Sequence, residues 1–347
     1  MTFYQHIINW YTACKRDLPW RNTVNPYKIW LSEIMLQQTR VEQGLPYYQD
    51  FVNKFPTVHH LAAAADDLVM KMWQGLGYYS RARNLHATSK YISRELDGRF
   101  PERFADLKKL KGVGDYTAAA IASFSFGEAV PVVDGNVYRL LSRYFGVDIP
   151  VNSTEGVRYF RELAEQLIDK DRPGTYNQAI MEFGARQCKP QSPDCGACPL
   201  QDSCVALQKN TVSVLPVKLR KGKVKKRYFN YLIPYNDRQV LISKRTGNDI
   251  WRDLYEFPLV ETGAPSGWDE VSKAAQVKAL PGIDSARVWL YNEEQVVHKL
   301  SHQHIYTRFW IVELAEEFDQ GVEKSRVSDY AMPVLLANFV RDFEFSN

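Results

Sequence analysis

Up to about residue 208 the apolar positions recur at helical spacing, and strict alternation is scarce. Trp30, Ile34 and Leu36 follow Pro26 in that rhythm, and Leu61, Leu68, Val69 and Met72 precede Gly75. Glycine and proline interrupt it at Gly44-Leu45-Pro46, Phe55-Pro56, Gly75 with Gly77, Phe100-Pro101, and Gly112 with Gly114. Short amphipathic segments between short breaks predict a compact all-α unit. Beyond about residue 228 the rhythm changes. Segments 228–234, 240–243, 254–260, 287–291 and 305–313 are rich in β-branched and aromatic residues, with turn formers between several of them, and predict strands. Helical patches persist at 269–280 and 333–343. The C-terminal third therefore reads as an α+β domain.

Charge marks the boundary between the two. The 347 residues carry a net charge of only +4, but 209–227 hold eight Lys and Arg and no acid, whereas 228–347 sum to −6. The reading is a domain over 1–208, a basic linker over 209–227 and a second domain over 228–347. Such a linker is either a solvated connection or a strap along a phosphate backbone. A hydrophobic content of 45% is ample for two cores. No run of eighteen apolar residues exists, and residues 1–20 lack the pattern of a signal peptide, so a cytoplasmic, non-membrane protein is expected.

Cys188, Cys195, Cys198 and Cys204 fall within seventeen residues, spaced C-x6-C-x2-C-x5-C. Thiolates packed so densely converge on an inorganic centre. Four could hold tetrahedral zinc, whose usual form is paired C-x2-C units. A single C-x2-C with unequal outer gaps suits a four-iron cluster better. Disulfides are the weakest reading in a reducing compartment. Cys14 stands alone and reads as a small buried residue.

Leu110-Lys111-Gly112-Val113-Gly114-Asp115-Tyr116-Thr117 sets two glycines before a predicted helix, a backbone that can approach a phosphate closely. Further on, Val132-Val133-Asp134-Gly135-Asn136-Val137 places an acid where a helix cap is the ordinary reading. Neither motif is specific alone. In this order, with the cysteine loop behind them, they resemble the helix-hairpin-helix DNA glycosylases of the endonuclease III type. Within that superfamily the chain is most similar to the adenine DNA glycosylase (MutY) family. Leu18-Pro19-Trp20-Arg21, the run Trp30-Leu31-Ser32-Glu33-Ile34-Met35-Leu36-Gln37-Gln38-Thr39, and Gly75-Leu76-Gly77-Tyr78-Tyr79 carry that resemblance.

The resemblance implies an all-α glycosylase domain with a [4Fe-4S] loop, followed by a Nudix-like α+β domain. It implies a monomer acting on double-stranded DNA with adenine opposite 8-oxoguanine or guanine. Glu33 would protonate the adenine, for which burial should raise its pKa. Asp134 would face the oxocarbenium-like sugar, with Asn136 ordering the catalytic groups. Tyr116 stands where endonuclease III has its catalytic lysine, so base removal without strand cleavage is expected. Gln38 and Tyr78 match residues that intrude near the vacated stack. Leu18, Trp20, Arg21 and Gln178 match walls of the adenine pocket, and Gly112 and Gly114 match the DNA-binding hairpin. The cluster loop would present Arg186 and Lys189 to phosphate rather than perform hydrolysis.

In the second domain Leu300-Ser301-His302 resembles the family's Phe-Ser-His segment, with leucine in place of phenylalanine. Oxidised guanine carries an N7–H donor that guanine lacks, so the Ser301 hydroxyl is a candidate reader of the lesion. The Nudix magnesium motif, G-x5-E-x7-R-E-x2-E-E, is absent near 263–279, so phosphoanhydride hydrolysis is not expected.

Overall fold

A computed structural model describes residues 2–219, 222, 224–315, 318–343 and 345. Arg220, Lys221 and Lys223 of the basic linker lie outside them. The chain divides into two compact units, one of Met1–Ala63 with Asn84–Arg220 and the other of Ala64–Arg83 with Lys221–Asn347.

The first unit is helical. Helices Phe3–Cys14, Gly135–Phe145, Thr154–Leu167 and Pro173–Arg186 pack around Ile7, Tyr11, Leu140, Phe160, Ile180 and Phe183. Cys14 is exposed, not buried. The apolar stripe of its helix runs through Ile7, Ile8 and Tyr11, and the helix ends before another turn of it is covered. The expected break at Gly44-Leu45-Pro46 is also absent, because helix Val41–Lys54 continues through Pro46. Proline removes one hydrogen bond there at a cost of about 3 kcal/mol, and burial of Tyr48 and Phe51 in the following turns offsets it.

The hairpin lies between the short helix Phe104–Leu107 and helix Asp115–Phe126. Gly112 has φ +78°, and a Cβ there would meet Asn84 at 2.6 Å. Both the left-handed backbone and the close approach demand glycine.

In the second unit a seven-stranded sheet has the path Arg287–Leu290, Gln303–Glu313, Lys225–Tyr235, Gln239–Val240 and Val322–Glu323. Lys225–Tyr235 and Gln303–Glu313 run parallel over eleven residues at its centre. Helices Trp268–Val271 and Ala275–Lys278 cover one face through Trp310, Val312 and Leu232. Helix Val334–Asp342 covers the other, where Phe339 stacks on Phe309. The predicted strand 240–243 is divided, since Val240 joins the large sheet while Ser243–Lys244 pairs with Tyr255–Glu256 in a small one. Pro258, which cannot donate to a ladder, splits 254–260. The predicted helix 269–280 is two single turns. Strand Val296–Lys299, which pairs with Gln303–Glu313, was not foreseen because it is short and does not alternate.

Candidate active site

Glu33 lies in helix Pro26–Met35, which begins with proline in its first turn and with Asn25 Oδ1 accepting the N–H groups of Tyr27 (3.0 Å) and Lys28 (3.3 Å). From Ile29 to Met35 every residue is buried. Glu33 is only 5% exposed and lines a cavity. Burial raises its pKa to about 7; a hydrogen bond donated by Tyr116 opposes this, the Asp134 charge adds to it, and Arg21 opposes it. Burial also keeps the Tyr116 phenol far above its usual range, so it remains a proton donor to the glutamate.

Asp134 is the N-cap of helix Gly135–Phe145, so its ordinary reading is structurally correct. Its Oδ1 accepts from the backbone of Asn136 (2.9 Å) and Val137 (2.8 Å), and Oδ2 accepts from Asn136 Nδ2 (2.7 Å). A cap carboxylate need not be solvated, so capping does not exclude chemistry at the same group. Burial lifts the Asp134 pKa above its usual value, although these donors and Arg139 pull the other way. Arg139 donates to Asn136 Oδ1 at 2.9 Å and to the Gly184 carbonyl at 2.5 Å. A Cβ at Gly184 would lie 2.7 Å from the Asn136 carbonyl oxygen. Close packing of this helix against Pro173–Arg186 thus sets the position of the cap.

Glu33, Tyr116, Asp134 and Asn136 line a cavity of about 370 Å³. Leu18, Trp20, Arg21 and Gln178 line it as well, so the residues expected at the catalytic centre and pocket walls come together. Gln38 and the hairpin glycines do not line it. Gln38 is exposed with φ +56°, a left-handed conformation that costs a non-glycine residue energy.

Glu182 and Arg16 are among the wall residues that escaped the sequence reading. Glu182 receives hydrogen bonds from Arg16 Nε (2.8 Å), Arg16 Nη2 (2.7 Å) and Arg21 Nη2 (2.7 Å). Burial alone would raise its pKa, but the two guanidinium groups overcome that and hold it at about 2. Glu182 is therefore a fixed anion, in contrast to Glu33. Gln178, Met181, Glu182 and Ala185 share one helical stripe facing the cavity. An acid one turn from Gln178 on an otherwise buried helix was the available signal. Arg16 had none, being 166 residues away in sequence.

The four loop cysteines surround a second cavity. No three described His, Cys, Asp or Glu side chains converge closely enough to hold a single metal ion. Tetrahedral zinc needs all four sulfurs about 2.3 Å from one point, whereas a four-iron cluster is ligated by thiolates around a larger core. Burial pushes Cys198 up to about 11, and its neighbouring thiols add to the rise, so cations among them are needed to hold thiolates. The donor set fits the cluster. Arg143 clamps the loop, donating to the carbonyls of Lys189 (2.7 Å), Pro190 (3.0 Å) and Leu215 (3.0 Å). Arg186 donates to the Cys14 carbonyl, and Lys189 is exposed.

In the second unit Tyr78 adopts φ +48°, and its hydroxyl lies 2.9 Å from Ser301 Oγ. Both border a cavity of about 420 Å³ with Arg83, Trp251, Lys299 and His302. Arg81 holds the Tyr78 turn by donating to the carbonyls of Leu76 and Gly77, both at 3.1 Å.

Residues 31–187 match the HhH-GPD superfamily of base excision DNA repair proteins, 188–204 the iron–sulfur binding domain of endonuclease III, and 230–342 the NUDIX domain. An adenine DNA glycosylase of Buchnera aphidicola subsp. Schizaphis graminum is 37% identical over 75% of this chain and 75% of its own length. Another from Buchnera aphidicola subsp. Baizongia pistaciae is 34% identical over 90% of this chain and 86% of its own. Among solved structures, a thermostable thymine-DNA glycosylase aligns with a TM-score of 0.56 at 29% identity, over 60% of this chain and 95% of its own.

Fold, cluster loop and carboxylate-lined cavity together define a helix-hairpin-helix DNA glycosylase of base excision repair. It carries the iron–sulfur loop on the four cysteines and a Nudix-like domain after it. At the level of overall similarity, the chain belongs to the adenine DNA glycosylase family.

Proposed function

We propose that this enzyme hydrolyses the N-glycosidic bond of adenine mispaired with 8-oxoguanine or guanine and leaves the strand uncut. The observation that carries this reading is Glu33, poised at a pKa of about 7 inside the cavity that Asp134 also faces. An extruded adenine enters the cavity, and Glu33 gives it a proton at N7, converting a poor leaving group into a neutral one. As the bond to C1′ lengthens, positive charge builds on the sugar. The Asp134 carboxylate, held by the Asn136 and Val137 donors, stabilises it. Tyr116 holds Glu33 in orientation and lacks the amine that a Schiff-base lyase step requires.

The cluster, held by Cys188, Cys195, Cys198 and Cys204, serves to fold the loop that follows helix Pro173–Arg186. Free N–H groups at the start of helix Asp115–Phe126, behind Gly112 and Gly114, suit a backbone phosphate. In the second unit Ser301, supported by Tyr78, has the hydroxyl that can accept from the lesion's N7–H.

The test is single-turnover reaction with a duplex containing adenine opposite 8-oxoguanine, analysed with and without alkali. Strand breakage only after alkali is expected. No breakage in either arm would reject the glycosylase reading, and breakage without alkali would reject the absence of lyase activity. Ser301→Ala should narrow the preference for 8-oxoguanine over guanine; equal losses on both would remove Ser301 from lesion reading.

A further inference from the structure

The second unit takes in a segment from the helical part of the sequence, Ala64–Arg83. Helix Asp66–Met72 opens that segment, and Tyr78 follows in a glycine-containing turn. Three polar side chains before Tyr78 fasten the segment to the rest of the unit. Asp67 accepts from Lys244 Nζ at 2.5 Å and from the Tyr255 hydroxyl at 3.1 Å. Lys71 Nζ donates to the Ser328 carbonyl, and at 3.3 Å to both the Tyr330 carbonyl and Gln74 Oε1. The same Gln74 oxygen accepts from the Met332 N–H at 3.1 Å. After Tyr78, Arg83 Nη1 donates to the Arg252 carbonyl at 2.7 Å, with the Asp253 carboxylate 3.5 Å from its Nε. Within the turn, Trp73 Nε1 and Arg81 Nη2 both donate to the Gly77 carbonyl.

The ordinary explanation is surface docking. A part-exposed pair such as Asp67–Lys244 contributes little, and a lysine over the carbonyls that end the helical turn Lys324–Asp329 is a common cap. Docking alone requires no strain. Tyr78, Trp251 and Asp253 nevertheless adopt left-handed backbone, with φ +48°, +60° and +66°. Such conformations cost a non-glycine residue energy and persist where surrounding bonds over-determine them. Arg83 binds the carbonyl between Trp251 and Asp253, and Trp251 lines the same cavity as Tyr78 and Ser301. The fastenings thus bracket the strained tyrosine from both sides.

We propose that Lys71 is a positioning residue for Tyr78. With Asp67 and Gln74 it anchors the near side of the turn, so that the Tyr78 hydroxyl meets Ser301 Oγ at 2.9 Å. That bond occupies one side of the serine hydroxyl and leaves a lone pair for the lesion's N7–H. Lys71 does not line the cavity and acts through the turn. Its effect on specificity rests on the lesion-reading role of Ser301; the anchoring does not.

The first test is hydrogen exchange of the free full chain, followed by mass spectrometry. Lys71→Met should speed exchange of the Gln74 and Leu76 amides, which bond to the Lys71 and Trp73 carbonyls, and leave strand Gln303–Glu313 unchanged. Lys71→Arg keeps the donors and should restore most of the protection. Unchanged exchange in the turn would overturn the proposal. Equal acceleration in the strand would overturn it too, because it marks general loosening of the unit. The second test is single-turnover base release from adenine opposite 8-oxoguanine and opposite guanine. Lys71→Met should narrow the preference by about five-fold, the contribution of one neutral hydrogen bond. If Ser301→Ala narrows the preference and Lys71→Met does not, the positioning role is refuted. If Ser301→Ala leaves it intact while Lys71→Met still loosens the turn, the lesion reading fails and the anchor stands.

Discussion

Replacing Glu33 by glutamine preserves the shape of the side chain and removes its titrating proton. At pH 7 a carboxyl with a pKa of about 7 is half protonated, whereas one at the ordinary 4.5 is protonated only about 0.3% of the time. Burial therefore multiplies the working acid form by more than about a hundred-fold. A positioned general acid contributes about 10²–10⁴-fold to rate, so base release under single-turnover conditions should fall by at least about 10²-fold. Duplex affinity should change little. In the wild type the rate should decline as pH rises through about 7, where Glu33 ionises. It should also decline at low pH, where Asp134, raised above its ordinary value, takes up a proton. The variant should lose the alkaline decline. Stability gives an independent readout. A carboxyl whose pKa is raised by folding destabilises the native state as pH climbs from 4.5 through 7, by roughly 3 kcal/mol for this interval. Glu33→Gln should therefore stabilise the helical unit at pH 8 and do little at pH 4, measured by denaturant unfolding at both. Retained turnover, or an unchanged alkaline limb, would refute the proton-donor argument. Loss of turnover without stabilisation at pH 8 would refute the burial argument behind the pKa.

Glu182→Gln breaks the ion pairs with Arg16 and Arg21 and should cost about 3 kcal/mol at pH 7, the low end for a buried pair because Arg16 is partly exposed. Because that carboxyl is depressed to about 2, the difference from wild type should shrink as pH falls from 4.5 towards 2, as urea unfolding at several pH values would reveal. Gly184→Ala forces a Cβ against the Asn136 backbone; base release should drop more than duplex affinity, and wild-type turnover would show that the Asp134 cap tolerates the shift. Cys198→Ser should lower the iron content and the broad visible absorption of the purified protein. Iron and spectrum equal to wild type would place that ligand elsewhere.

The helical half and the cysteine loop were legible because each depends on neighbours in sequence. Period, punctuation and ligand spacing are local properties, and they lead directly to Pro26–Met35, Asp115–Phe126 and the 188–204 loop. Strand division in the second domain was less legible. A two-residue strand such as Gln239–Val240 exists only because Tyr235 and Val322 lie beside it. Cys14 and Pro46 misled for the same reason, since burial and helix continuation are decided by what packs outside the local segment.

The family resemblance, carried by several short motifs in a fixed order, pointed to Glu33, Tyr116, Asp134 and Asn136, although the hairpin and Asp134 motifs were not specific singly. Only the folded chain decided that Glu33 titrates near neutrality while Glu182, a carboxyl in the same cavity, remains an anion. The difference is one of partners: two guanidinium groups face Glu182, whereas Glu33 meets a phenol, a second carboxylate and apolar side chains. Side-chain identity sets an ordinary pKa, but the free energy of a buried charge depends on surroundings brought in from distant parts of the chain.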